Sequence, residues 1–250
     1  MRLATLTLTP WYRRPQLHRG GGAEQPGSVR ATAILDHASP GISALVAQAR
    51  ERAASELGTG HAPSPLATVR AAHGLIRDAV RPVYAMEEAT PASRVLARGT
   101  GSCSQRLAVL ESAARAIGVE TRVRALSIDG AFWEPRFPRL TFALPDRVLL
   151  AWPEFRLDGW RPASELFGPL GCRAGGAFTN SGSETLFEAV GRCAVDWDGE
   201  TSGDPADLSA HLRADLGYFT DRDELFARLG QTLCTPSRAI ADPVMRRIAA

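Results

Sequence analysis

The stretch Arg98–Val119, RGTGSCSQRLAVLESAARAIGV, constrains this chain more than any other. It opens on a glycine turn, carries one cysteine and continues as an amphipathic helix. Gly99 and Gly101 supply backbone freedom that residues with a Cβ lack. Ser102 suits an N-cap, which puts Cys103 at the first helical position. Leu107, Leu110, Ala114 and Ile117 then recur at helical spacing, and Gly118 closes the helix. The first turn of a helix offers free N–H groups and about half a positive charge. A thiol there ionises more readily, and the thiolate is the reactive form. The same N–H groups can hold an oxyanion. Cys103 is therefore a candidate nucleophile. A second reading fits the same spacing: Cys103 lies on the Leu107/Leu110/Ala114 face, and free cysteine is among the most buried residue types.

The stretch sits between two textures. Before it, Ser39-Pro40 and Ser64-Pro65 each pair a cap with a proline at the first helical position. They predict helices from Pro40 to Gly58, with inner stripe Ile42, Leu45, Val46, Ala49, Ala53 and Leu57, and from Pro65 to about Val80. Thr90-Pro91 starts a shorter helix. Residues 2–9 and Val29–Leu35 read as strands. After it, strands are expected at Val119–Ile128, Leu140–Leu144 and Arg147–Trp152. Turn signals at Asp129-Gly130, Pro145-Asp146 and Asp158-Gly159 fall between or after them. A helix followed by an antiparallel meander predicts an α+β fold. Beyond Gly171 the pattern turns helical again, with a short helix expected just before it at Glu165–Leu170. Capping pairs occur at Ser181/Glu184 and Asp221/Glu224, and helices are expected at 205–216 and 243–248. The organisation expected is 1–64, an N-terminal part of strands and a helix; 65–170, the core; and 171–250, a mainly helical extension, all in one globule.

Composition removes several function classes. The 29 basic residues among 250 are all arginine, so this chain has no lysine for a Schiff base or a P-loop. A net charge of +2, without a basic run beyond Arg13-Arg14 or Arg246-Arg247, gives no nucleic-acid footprint. The cysteines, at 103, 172, 193 and 234, avoid metal-finger and CxxC spacing. No stretch approaches membrane-span length, and the N-terminal run reads as a strand instead of a signal peptide. The expectation is a cytoplasmic protein with reduced thiols, without cofactor, metal, nucleic-acid or membrane partner.

Three motifs in order carry a resemblance. The Cys103 helix runs into Ala114-Arg115-Ala116-Ile117-Gly118-Val119-Glu120-Thr121-Arg122-Val123. Ala151-Trp152-Pro153-Glu154-Phe155 follows, then Asp158-Gly159-Trp160. Over roughly residues 65–170 the chain resembles the transglutaminase-like superfamily, whose fold is papain-like. The resemblance implies a cysteine-bearing helix packed on an antiparallel sheet. It also implies acyl transfer or amide hydrolysis through a thioester on Cys103, acting on a small-molecule, peptide or protein amide or thioester. The family's histidine falls at position 150, where this chain has Leu150. Its aspartate falls at position 164, where this chain has Ser164 followed by Glu165. A thiol nucleophile needs a base and a group orienting that base, and leucine serves neither purpose. Two further readings follow. One is a catalytically degenerate member that keeps the fold as a binding or interaction module. The other is a specialised acyltransferase using an activated thioester donor, which needs less base catalysis.

Other side chains offer substitutes for the missing base or separate sites. His18, His37, His61, His73 and His211 are the histidines available as a relocated base, and His73 lies on an apolar helix face that favours core packing. Asp196-Trp197-Asp198-Gly199-Glu200 with Asp204 and Asp207 has the acidity of a calcium loop but the wrong glycine position, so a solvated acidic loop is expected. Trp133, Trp152 and Trp160 suit core packing better than an aromatic cleft. Arg122 and Arg124 are expected to face solvent.

Overall fold

A computed structural model describes residues 25–58, 62–139, 141–171, 175–201, 203 and 206–247. The strand expected at 2–9, His18, His61, Cys172 and Asp204 lie outside the described residues. The chain is a mixed α+β protein.

Three helices precede the cysteine helix: α1 (Pro40–Leu57), α2 (Pro65–Ala79) and α3 (Ala92–Arg98). Each of α1 and α2 opens on serine and proline, and Ser64 Oγ accepts from the backbone N–H of Ala67. Ile42, Leu45, Val46, Ala49 and Ala53 of α1 are buried with Val69, Ala72 and Ile76 of α2, as the helical spacing requires. Two short parallel strands, β1 (Arg81–Pro82) and β2 (Thr100–Gly101), stitch the end of α2 to the turn before α4 (Cys103–Ala116).

The sheet follows α4. Strands β3 (Thr121–Asp129), β4 (Arg147–Arg156), β5 (Trp160–Pro162) and β6 (Leu212–Phe219) are ordered β5-β4-β3-β6, and every pairing is antiparallel. The β3/β4 register is unbroken from Thr121↔Phe155 to Asp129↔Arg147. Leu126, Ile128, Leu150 and Trp152 enter the main core, which α4 shares through Leu107, Leu110 and Ala114. Val123, Ala125, Leu149 and Ala151 enter a second core with Leu225 and Leu229 of α6 (Arg222–Leu229). This alternation is the two-residue period of a strand buried on both faces. Helix α5 (Leu186–Arg192) packs on α4, and α7 (Thr235–Met245) is the last element described.

Several expectations are corrected. Residues 29–35 form no strand; Ser28 makes only an isolated bridge to Thr121. Thr141–Ala143 is a 3-10 turn with Phe142 exposed, so the strand expected at 140–144 is absent from its described residues. The short helix expected from Glu165 is a 3-10 turn at Ala163–Glu165. The helix expected over 205–216 is a 3-10 turn at Ser209–His211 running into β6. Leu208, Leu212 and Leu216 also recur every fourth residue, which imitates a helix. Pairing with β3 governs instead: Leu212 packs against the main core, and beyond a register shift Ala214 and Leu216 face the second core. Gly217 sits in β6 with φ +85, close to where the β3/β6 register shifts, a bulge that favours glycine. The cap of α5 is Thr185 with Glu188, four residues later than the Ser181/Glu184 pair.

Buried arginine ties these layers together. Arg115 donates to Thr121 Oγ1 at 2.7 Å and to the carbonyls of Arg30 at 2.7 Å, Thr220 at 2.9 Å and Thr121 at 3.2 Å. It joins the end of α4, the N-terminal loop, the start of β3 and the turn before α6. Arg106 reaches Glu188 Oε1 at 2.5 Å and lies 4.3 Å over the Phe187 ring, clamping α4 to α5. Arg122 is buried, contrary to the solvent position expected. It pairs with Glu154 at 2.7 Å, between the rings of Tyr218 at 4.0 Å and Trp160 at 4.3 Å. Planar guanidinium groups suit such stacked, multiply bonded positions. Arg124 is also largely covered and bridges Asp198 and Asp215.

Candidate functional site around Cys103

Gly99, the residue after α3, adopts φ +64. A Cβ on Gly101 would lie 2.8 Å from Val95 Cγ1, so the close approach of this turn to α3 requires glycine. The turn delivers Ser102 as N-cap and Cys103 as the first helical residue. Ser102 Oγ accepts from the Gln105 N–H, and Gln105 Oε1 accepts from the Ser102 N–H, both at 3.2 Å. The Gln105 side chain also donates to the Glu87 carbonyl at 2.7 Å. One residue thus completes the cap and fastens the loop before α3 to the helix N-terminus.

Cys103 is a half-buried free thiol packed against the main core. Tyr84 lies within electrostatic reach of it, on the segment that leaves β1. Burial pushes the Tyr84 phenol up, with the Arg136 guanidinium opposing. The Tyr84 ring rests 4.6 Å from Phe137. Arg136 donates to Asn180 Oδ1 at 2.5 Å and to the Glu184 carbonyl, and the Asn180 amide donates to the Phe132 carbonyl at 2.5 Å. Asn180 has φ 50, a conformation that asparagine tolerates better than most residues. The segment after β3 and the loop before α5 are thereby joined through Arg136. Sequence reasoning missed Tyr84, Arg136 and Asn180. Only Asn180 carried a signal, as an Asn-Ser-Gly turn.

Leu150 is buried opposite Leu126 on β3, in the same core cluster that Cys103 packs against. Ser164 is buried in the 3-10 turn after β5. The described histidines are engaged elsewhere. His73 Nε2 donates to the Phe187 carbonyl at 2.6 Å, and its ring stacks on Phe187 at 4.3 Å. Burial lowers its pKa to about 4, so the ring is neutral. His37 Nε2 contacts the Val29 carbonyl at 2.9 Å. His211 meets the Phe132 ring edge-on at 5.4 Å.

The other candidates have structural partners. The Asp196 carboxylate is buried and accepts from the N–H groups of Asp198, Gly199 and Thr201 and from Thr201 Oγ1, at 2.7–3.1 Å. It folds the loop from within, so the loop is not a merely solvated acidic stretch. Among the described residues no group of three or more His, Cys, Asp or Glu side chains is placed to hold a metal ion. The tryptophans take separate positions: Trp152 meets Trp197, Trp133 meets Phe132, and Trp160 covers Arg122. No described helix is long and apolar enough to cross a membrane. The chain matches no family model, no curated protein and no solved structure.

Proposed function

We propose that this chain is a transglutaminase-like protein without base-assisted thiol chemistry, in which the surface around the Cys103 helix N-terminus serves as a binding or interaction module for a peptide or protein amide. The observation that carries this reading is Leu150. The position where the family's base would stand is a buried leucine paired with Leu126. His73, the histidine nearest to a catalytic helix in sequence, is neutral and spent on the Phe187 carbonyl. The order of cysteine helix, β3 and β4 supports the likeness, and so does the capped N-terminus that presents Cys103.

A second reading rests on Cys103 itself. A half-exposed thiol at the first position of a capped helix suits acyl transfer from an activated thioester, where the donor's own reactivity replaces much of the base catalysis.

One experiment divides the two. The protein is incubated with p-nitrophenyl acetate and, separately, with acetyl-coenzyme A, and intact-mass and peptide-mass spectra are recorded. The module reading expects no acetyl group on Cys103 above the Cys103→Ala background. A Cys103 thioester that forms and then passes its acetyl group to an added amine would replace that reading with acyl transfer.

A further inference from the structure

The loop Tyr84–Ala89 connects the neighbourhood of Cys103 to the C-terminal helix. Asp242 Oδ1 on α7 accepts from the N–H groups of Met86 at 2.7 Å and Glu87 at 3.0 Å. Arg238, also on α7, pairs with Glu87 Oε2 at 3.0 Å. Gln231 bonds Glu87 Oε1 at 2.6 Å and the Glu88 N–H at 2.7 Å. On its other side the loop is fastened to α4 by Gln105. The polar face of α7 thus supplies its grip. Its outer face, with Ile240 and Val244, is exposed.

Within this junction the Glu88 carboxyl is anomalous. Its Oε2 is shut from solvent and has no hydrogen-bond partner among the described residues. The groups facing it are Ser104 of α4, Arg222 of α6, Glu87 of its own loop and Asp242 of α7. Arg222 is the single cation among them, and it is committed to Glu111 at 2.5 Å, Ser104 Oγ at 2.8 Å and the Ala151 carbonyl at 3.2 Å. Glu87 and Asp242, the two carboxylates that hold α7, are matched by Arg238 of that helix and Arg246 at its C-cap, so an ionised Glu88 would add a carboxylate for which the junction has no uncommitted cation.

We propose that Glu88 is a proton-operated latch: while it carries a proton α7 stays closed on the loop beside Cys103, and when it gives that proton to solvent α7 is released. Burial, the largest influence on this carboxyl, pushes its pKa up; the Ser104 hydroxyl and the Arg222 guanidinium oppose it, and Glu87 and Asp242 act with burial. Release is accordingly expected as pH rises above the ordinary carboxylate range.

The test is hydrogen exchange of the full chain from pH 5 to 8, with each rate divided by the intrinsic rate at that pH. In the wild type, α7 protection should fall about tenfold per pH unit from the ordinary carboxylate pKa up to the raised closed-state pKa and then level off, while α5 protection stays level. Glu88→Gln should hold α7 protection level across the range. Asp242→Asn keeps the oxygen acceptor for Met86 and Glu87 but removes one charge, which lowers the closed-state pKa of Glu88, so its fall should start from a lower value, level off at a lower pH and be smaller in total. A level wild-type profile, or a Glu88→Gln profile with the wild-type slope, overturns the latch. Should Glu88→Gln fail to fold, the wild-type and Asp242→Asn profiles decide alone, and falls of equal size over the same pH range overturn it.

Discussion

Arg222 donates to Glu111 across 2.5 Å with both side chains wholly shut from solvent, and the same guanidinium reaches Ser104, one residue from Cys103. Burial pushes the Glu111 carboxyl up even with this cation beside it. Arg222→Met removes the compensating charge and should cost about 3–5 kcal/mol at pH 7. The loss should be smaller at pH 5, where an unpaired Glu111 takes up a proton more readily. Urea unfolding at the two pH values checks both statements. Adding Glu111→Leu should recover most of the loss, because a buried pair replaced by apolar groups leaves no stranded charge.

His73 gives the fold an acid limit. Its pKa falls from 6.5 to about 4 on burial, so the folded state resists a proton that the unfolded chain accepts. Its contribution is present above pH 6.5 and is lost as pH falls toward 4, by about 3 kcal/mol over that interval. His73→Gln keeps a donor for the Phe187 carbonyl and cannot titrate. Its stability, measured by urea unfolding at pH 7.5, 5.5 and 4, should lack this component. An unchanged profile would show that His73 does not set the limit.

Among the described cysteines, thiol reactivity should be led by Cys234. It precedes α7, and its hydrogen bonds to Ser237 pull its pKa down. Cys193 is buried and bonds the Ala189 carbonyl. Of these three thiols, iodoacetamide at pH 7.5 should modify Cys234 before Cys103, and Cys193 only at the rate of unfolding. Cys234→Ser should remove the fast phase. A fast phase that persists in Cys234→Ser and disappears in Cys103→Ala would favour Cys103 as a working nucleophile.

Gly130 is irreplaceable for steric reasons. Its N–H bonds the Asp146 carbonyl at 3.0 Å, and an added Cβ would overlap the Pro145 carbonyl oxygen. Gly130→Ala should cost about 2–3 kcal/mol, the scale of overpacking in a rigid site. Gly58→Ala offers a useful contrast, because nothing lies near its Cβ position and only its φ of +60 opposes the change. Thermal unfolding of both variants compares crowding with backbone strain.

Local chemistry in the sequence announced the helices that precede the sheet. Ser-Pro starts, the Ser102 cap and the stripe from Leu107 to Ala114 all correspond to helices, because each depends on neighbours within a turn or two. The burial of Arg122 was illegible, because its partners Glu154 and Tyr218 lie 32 and 96 residues away and a lone arginine on a strand resembles a solvated one. β6 was misread because two periods coexist in its leucines and only the neighbouring strand decides between them. Around Cys103 the capped helix was readable, whereas Tyr84 and Arg136 are brought there by loops with no period to follow.

The place of β6 in the sheet has a consequence for synthesis. β4 is available to pair with β3 once residues 121–156 have left the ribosome, but the other edge of β3 waits for a strand that begins at Leu212. For the time needed to make some 60 further residues, several seconds at typical elongation rates, β3 presents bare N–H and C=O groups and the apolar Val123 and Ala125. A nascent chain stalled in that interval is a template for another copy's strand. A chaperone that binds extended apolar segments would therefore find its target at β3, and lose it when β6 docks.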